Sequence, residues 1–116
     1  MSSLILNFIM DIQTYVDDIK KYTDSVDMEV VEAITKSLAS ILENRDASLV
    51  SCSDESELET VRTNFIEKKL GITDNDRADE AIKAVCEKMS DDRTKSRVTF
   101  YYLLIEELDA KSAYLG

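Results

Sequence analysis

The chain has no histidine, no proline and no tryptophan, and only two glycines and two cysteines in 116 residues. Each shortage closes off a class of chemistry or fold. Without histidine there is no Ser–His–Asp triad, no Cys–His nucleophile and no imidazole ligand for a metal. Proline removes a helix donor and glycine raises backbone entropy, so a chain whose glycines are confined to Gly71 and Gly116 can stay helical over long stretches. Collagen, flexible linkers and glycine-rich phosphate loops are excluded with them. Two cysteines are too few for a disulfide framework or a Cys-only zinc site, and the spacing of Cys52 and Cys86 matches no redox pair. No apolar run approaches the roughly 20 residues that span a bilayer. The opening MSSLILNFIMD lacks the basic n-region and small-residue cleavage site of a secretory signal. A cytoplasmic, reducing location is therefore expected, with no membrane partner.

What is present describes one acidic globular domain over residues 1–116, with 1–8 as an N-terminal extension. The composition, 44% hydrophobic and 33% charged, is too apolar for a disordered chain. The net charge of −10 is uneven: residues 1–61 hold 13 acidic and 4 basic side chains, residues 62–116 hold 11 and 10. An overall negative field repels phosphate backbones, so no nucleic-acid partner is expected.

Apolar spacing predicts about five helices in an all-α bundle. Ile9, Ile12, Tyr15, Val16, Ile19 and Tyr22 form the first stripe, with Asp17 and Lys21 as an i,i+4 pair. Val30, Val31, Ile34, Leu38, Ile41 and Leu42 form the second, capped by Asp27 or Ser25. Leu58, Val61 and Phe65 form the third. It opens at Ser53 or Asp54, with Glu57 at capping-box spacing, and stops at Gly71. Ala78, Ala81, Ile82, Val85 and Met89 form the fourth, capped by Thr73, with Asp79 and Lys83 paired outside. The fifth, about 93–109, is apolar around most of its circumference from Val98 to Ile105, which places it at the centre of the bundle. Its VTFYYLLI run has strand propensity, but only the short Leu49–Val50 run could pair with it.

Two constellations are candidate contact sites. Arg93, Lys95 and Arg97, with Ser96 among them, put positive charge at the start of a helix, where the macrodipole opposes it. Either acidic residues of the chain cover this entrance or it takes a phosphate or carboxylate; internal pairing is the preferred reading. Arg45, Asp46 and the serines up to Ser53 form a polar loop running into a helix start. Cys52 in that loop is the candidate reactive thiol, since a thiol near a helix N-terminus has a lowered pKa, although a small inert residue is the plainer reading. The Asp74–Asp76 cluster lacks the glycine and distal glutamate of a calcium loop and reads as helix capping. No catalytic residue, cofactor or metal site is indicated.

The segments NRDASLVSCSD (Asn44–Asp54), Val61-Arg62, KKLGIT (Lys68–Thr73), VCEKM (Val85–Met89) and DRTKSRVTFYYLL (Asp92–Leu104) together resemble a family of short bacterial proteins, the domain of unknown function 2853. The resemblance runs from Tyr15 to about Leu108. It implies a small all-helical fold in a bacterial, intracellular setting and carries no activity or site residues. The functional expectation is a small non-enzymatic interaction module, binding a protein partner or itself as a homodimer. The alternative is a small-anion or nucleotide-binding protein that uses the basic start of the last helix.

Overall fold

The computed structural model describes residues 12–44 and 46–116. The expected extension over 1–8, the first residues of the apolar stripe and Arg45 lie outside them. Helix α1 covers 12–19, α2 Met28–Ser37 and α3 Ala39–Leu42. Strand β1 is Leu49–Val50. Helix α4 is composite: an α-helical start, Glu55–Thr60, runs into a π-helical segment, Val61–Glu67, and a last turn, Lys68–Leu70. Helix α5 is Asn75–Lys88, strand β2 Lys95–Ser96, helix α6 Arg97–Glu107 and helix α7 Lys111–Leu115. The fold is all-α, as expected, with one two-residue ribbon. The five expected helices are α1, α2 with α3, α4, α5 and α6; the second is split at Leu38, and α7 is a short addition.

Helix α6 is central because no face of it is polar until Glu106. Every residue from Arg97 to Ile105 is buried, and burying a side chain the size of Phe100 contributes about 2–3 kcal/mol. It packs against α2, α5, α7 and β1. The π-helical segment of α4 turns Val61, Phe65 and Ile66 inward, and Phe65 stacks on Tyr101 at 3.9 Å between ring centroids with the planes 13° apart. Gly71 then takes the left-handed conformation (φ 71°) that ends the helix, as its position predicted.

The start of α6 departs from expectation. The strand-prone VTFYYLLI run is helical, but Lys95–Ser96 just before it pairs antiparallel with Leu49–Val50, in register Leu49–Ser96 and Val50–Lys95. The Arg97 N–H extends the ribbon by donating to the Ser48 carbonyl at 2.8 Å. The helix therefore begins at Arg97 rather than 93, with Ser96 as its N-cap. A run apolar on all sides gains more from burial at the bundle centre than a two-stranded ribbon could return.

The acidic N-terminal part does fold over α6: Glu57 reaches Arg97, and hydroxyl–carboxylate bonds join α1 and the turn after it to the C-terminal part. Thr99 donates to Asp18, Tyr22 donates to Asp92, and Thr23 donates to Glu106 at 3.1 Å. Three local pairings differ from the spacing-based reading. Lys21 pairs with Asp18 rather than Asp17. Asp79 pairs with Arg62 across two helices rather than with Lys83. Asp74, not Thr73, caps α5, because its extended backbone (φ −74°, ψ 101°) aims the carboxylate at the Arg77 N–H.

Candidate functional site

The β1–β2 ribbon brings the two candidate segments to one place. A cleft of about 560 Å³ lies between them. Asp46, Ser51 and Ser53 line it from the loop around β1; Ser90, Arg93, Thr94 and Lys95 line it from the segment that joins α5 to α6. Leu49 and Val50 add apolar surface, and Cys52 and Cys86 also line it.

The basic residues separate according to backbone geometry. Arg93 is exposed and, among the described residues, makes no ion pair. Lys95 is half-buried, and its ammonium donates to the Asp92 carbonyl at 2.7 Å. Arg97 corrects the sequence reading, because it is not at a surface entrance. It is buried with 8% of its surface exposed. Its guanidinium donates to the carbonyls of Ala47 at 2.7 Å and Leu49 at 3.1 Å and to the Tyr101 hydroxyl at 3.2 Å, and it pairs with Glu57. Burial works to lower its pKa, but the hydrogen bonds it donates to Tyr101 and Glu57 outweigh burial and raise it, so the group stays charged. Arg97 thus ties the β1 loop and α4 to the head of the central helix. Ser96 is likewise used internally: its hydroxyl accepts the Thr99 N–H at 3.5 Å.

The loop residues divide in the same way. Asp46 lines the cleft, and its backbone N–H donates to the Asn44 side chain at 3.0 Å. The hydroxyls of Ser51 and Ser53 are 3.2 Å apart and bond to each other. Cys52 is a second correction. It is not a reactive thiol, because it is joined to Cys86 in a disulfide with Cα atoms 5.9 Å apart, within the range such a bond requires. The two cysteines are 34 residues apart on elements whose adjacency spacing cannot reveal.

Glu57 was the other residue sequence reasoning misplaced. Capping-box spacing assigned its side chain to the start of α4. Asp54 does cap that helix, accepting the N–H groups of Ser56 and Glu57 at 3.0 and 3.3 Å. The Glu57 carboxylate turns instead to Arg97. The detectable signal was a basic residue with no acid of its own near it in the sequence.

Three phenols are held protonated. Burial, then the hydrogen bond to Asp92, pushes Tyr22 far up; burial raises Tyr102 and Tyr114. Among the described residues no group of three or more His, Cys, Asp and Glu is placed to hold a metal ion, and no helix is long and apolar enough to cross a membrane.

No curated protein matches the chain significantly. A family model does, over residues 14–112. That match spans most of the sequence, from within α1 to the start of α7, and takes in both walls of the cleft. The chain belongs to the family described as protein of unknown function (DUF2853).

Proposed function

We propose that the protein is a small non-enzymatic interaction module, and that the cleft between the β1 loop and residues 90–95 receives an anionic group of its partner. The observation that carries this reading is Arg93. In a chain with 24 acidic and 14 basic side chains, it lines a cleft beside Lys95 and makes no ion pair among the described residues. Hydroxyls from Ser53, Ser90 and Thr94 add donors at the same place, the mixture that suits a carboxylate or phosphate. Among the described residues no lining hydroxyl is bonded to a general base; Ser51 and Ser53 bond to each other. The described lining has no aromatic side chain on which a base could stack, which favours a bare anionic group over a nucleotide. A bacterial, cytoplasmic setting belongs to the same proposal and rests on the family resemblance.

The anion can be a partner's side chain or terminus, or a free phosphate. Amide chemical-shift titrations with an acidic peptide and with inorganic phosphate separate the two sources. The expected result is shifts confined to residues 46–53 and 90–95, larger affinity for the peptide, and loss of both responses in Arg93→Ala. Shifts scattered over the surface, or an undiminished response in Arg93→Ala, would rule the cleft out. Sedimentation of the same samples reports whether the partner is a second copy.

A further inference from the structure

Cys52 and Cys86 are both half-buried. Both line the cleft described above, and both line a second cleft of about 490 Å³ between α4 and α5, on whose far side Arg62 and Asp79 pair. The disulfide is therefore a wall shared by two solvent-open clefts. It is also a tether. One sulfur belongs to the segment between β1 and α4 that carries Ser51 and Ser53; the other belongs to α5, whose end leads through Ser90 to Arg93. The hydrogen bonds of the first segment are local: Ser51 to Ser53, and the Asp54 N–H to the Ser51 carbonyl at 3.3 Å. Among the described residues none runs from residues 51–53 to α5. The two rims are thus joined by the β ribbon at one point and by the cystine at another.

We propose that Cys52–Cys86 is a thiol–disulfide exchange site, and that its reduction by a dithiol unlatches the Ser51–Ser53 rim and weakens the cleft's hold on an anionic group. The gating part rests on the binding reading given above. A disulfide reachable from solvent is of the labile, regulatory kind rather than the buried structural kind. Arg93 and Lys95 in the same cleft favour both an approaching thiolate and the thiolate that leaves. One thiolate of the dithiol attacks a cystine sulfur; the S–S bond breaks and the other cysteine departs as thiolate. The second thiol of the reagent then displaces the mixed disulfide and closes its own. Two electrons and two protons pass from the dithiol to the two cysteines, and the dithiol ends as a cyclic disulfide. A bond of this kind also fits the reducing location expected from the sequence, where disulfides are transient.

The test uses the whole chain, oxidised and then treated with dithiothreitol under native conditions. Three quantities are read: free thiols, amide hydrogen exchange, and affinity for inorganic phosphate. The expected result is release of both thiols with the helical spectrum kept. Exchange should be faster at residues 51–54 and at the ribbon, and phosphate binding weaker by roughly tenfold, the scale of re-ordering one or two side chains and their loop. Cys52→Ser with Cys86→Ser should bind phosphate like the reduced protein without any reagent. Thiols that resist dithiothreitol until the protein unfolds overturn the proposal, as does equal phosphate affinity in both states, which leaves the binding reading standing. Absence of phosphate and peptide binding in both states removes the binding reading and the gate together.

Discussion

Arg97, the first residue of the central helix, pairs with Glu57, forty residues earlier on α4. The pair has 9% and 24% of its side-chain surfaces exposed, so it is largely shielded from water. Two backbone carbonyls and the Tyr101 hydroxyl complete the arginine's partners. Removing one member strands the other. Arg97→Ala should cost about 3 kcal/mol, the loss typical when a buried charge network loses a partner. Arg97→Lys should recover little, because an ammonium cannot reproduce the fork of donors. Glu57→Gln should cost about 1–2 kcal/mol, since an amide can still accept one bond. Urea midpoints with unchanged m-values check all three, and a near-neutral Arg97→Ala would contradict the internal role.

Tyr102 fixes a second long-range joint. Its hydroxyl accepts the Asp27 N–H at 2.8 Å, 75 residues away, at the residue that caps α2. Tyr102→Phe leaves that N–H without its partner and should destabilise by about 1 kcal/mol. Tyr114 is the comparator, because its hydroxyl meets Ser37 at an exposed site, 3.2 Å away. Tyr114→Phe should stay within about 0.5 kcal/mol of the parent. Equal losses from the two substitutions would show that the Tyr102 hydroxyl has no special place in the fold.

These joints also mark where the sequence stops being legible. Helix α5 was readable because its five core positions recur at helical spacing, and Ala78, Ala81, Ile82, Val85 and Met89 are all buried. Gly71 and Asp54 were readable because a stop and a cap are local events. The choice between Thr73 and Asp74 was not, because both residue types cap and only the backbone angles decide. The Arg93–Lys95–Arg97 cluster misled for a related reason. All three were placed at the start of one helix, but Lys95 lies in β2 and the chain enters the helix only at Arg97, whose side chain is buried. The disulfide needed knowledge of which elements lie side by side. Resemblance to the family was legible over nearly the same span that the family model matches.

Acid and alkali should act on opposite groups. Lys111 beside Asp27, and the Ser56 hydroxyl beside Asp54, lower both carboxyls below their ordinary value. A depressed folded-state pKa gives stability that is present above the unfolded value, about 3.9, and lost as pH falls through the folded one. The urea midpoint should therefore decline below about pH 4. Asp27→Asn with Asp54→Asn should flatten that decline while keeping both caps. At the other end, burial raises Tyr22, Tyr102 and Tyr114, and Asp27 raises Lys111. A raised pKa gives stability that is lost as pH climbs past the unfolded value, about 10 for tyrosine. Tyrosinate absorbance should show part of the five phenols titrating only together with alkaline unfolding. A single independent titration of all five would contradict the burial of these three.

Asp109 offers a stabilising change. It follows the C-cap of α6 in the left-handed region, with φ 49°, and it is the one non-glycine residue with positive φ among the described residues. Its chain position is that of a helix C′ residue, with the Ala110 N–H returning to the Ile105 carbonyl at 2.9 Å. A side chain with a Cβ is strained there, and a carboxylate sits at the negative end of the helix dipole. Asp109→Gly relieves both, and the gain exceeds the extra freedom glycine gives the unfolded chain. The expected outcome is a stabilisation of about 0.5–1 kcal/mol, read as a higher urea midpoint. Asp109→Asn separates the two causes: it removes the charge, keeps the Cβ and tolerates the left-handed region, so it should recover the electrostatic part alone. Asp109→Ala removes the charge but keeps the strain without a polar side chain to offset it, and it should fall below both. A stability order with alanine above glycine would show that the left-handed turn at the end of the central helix is not held in solution.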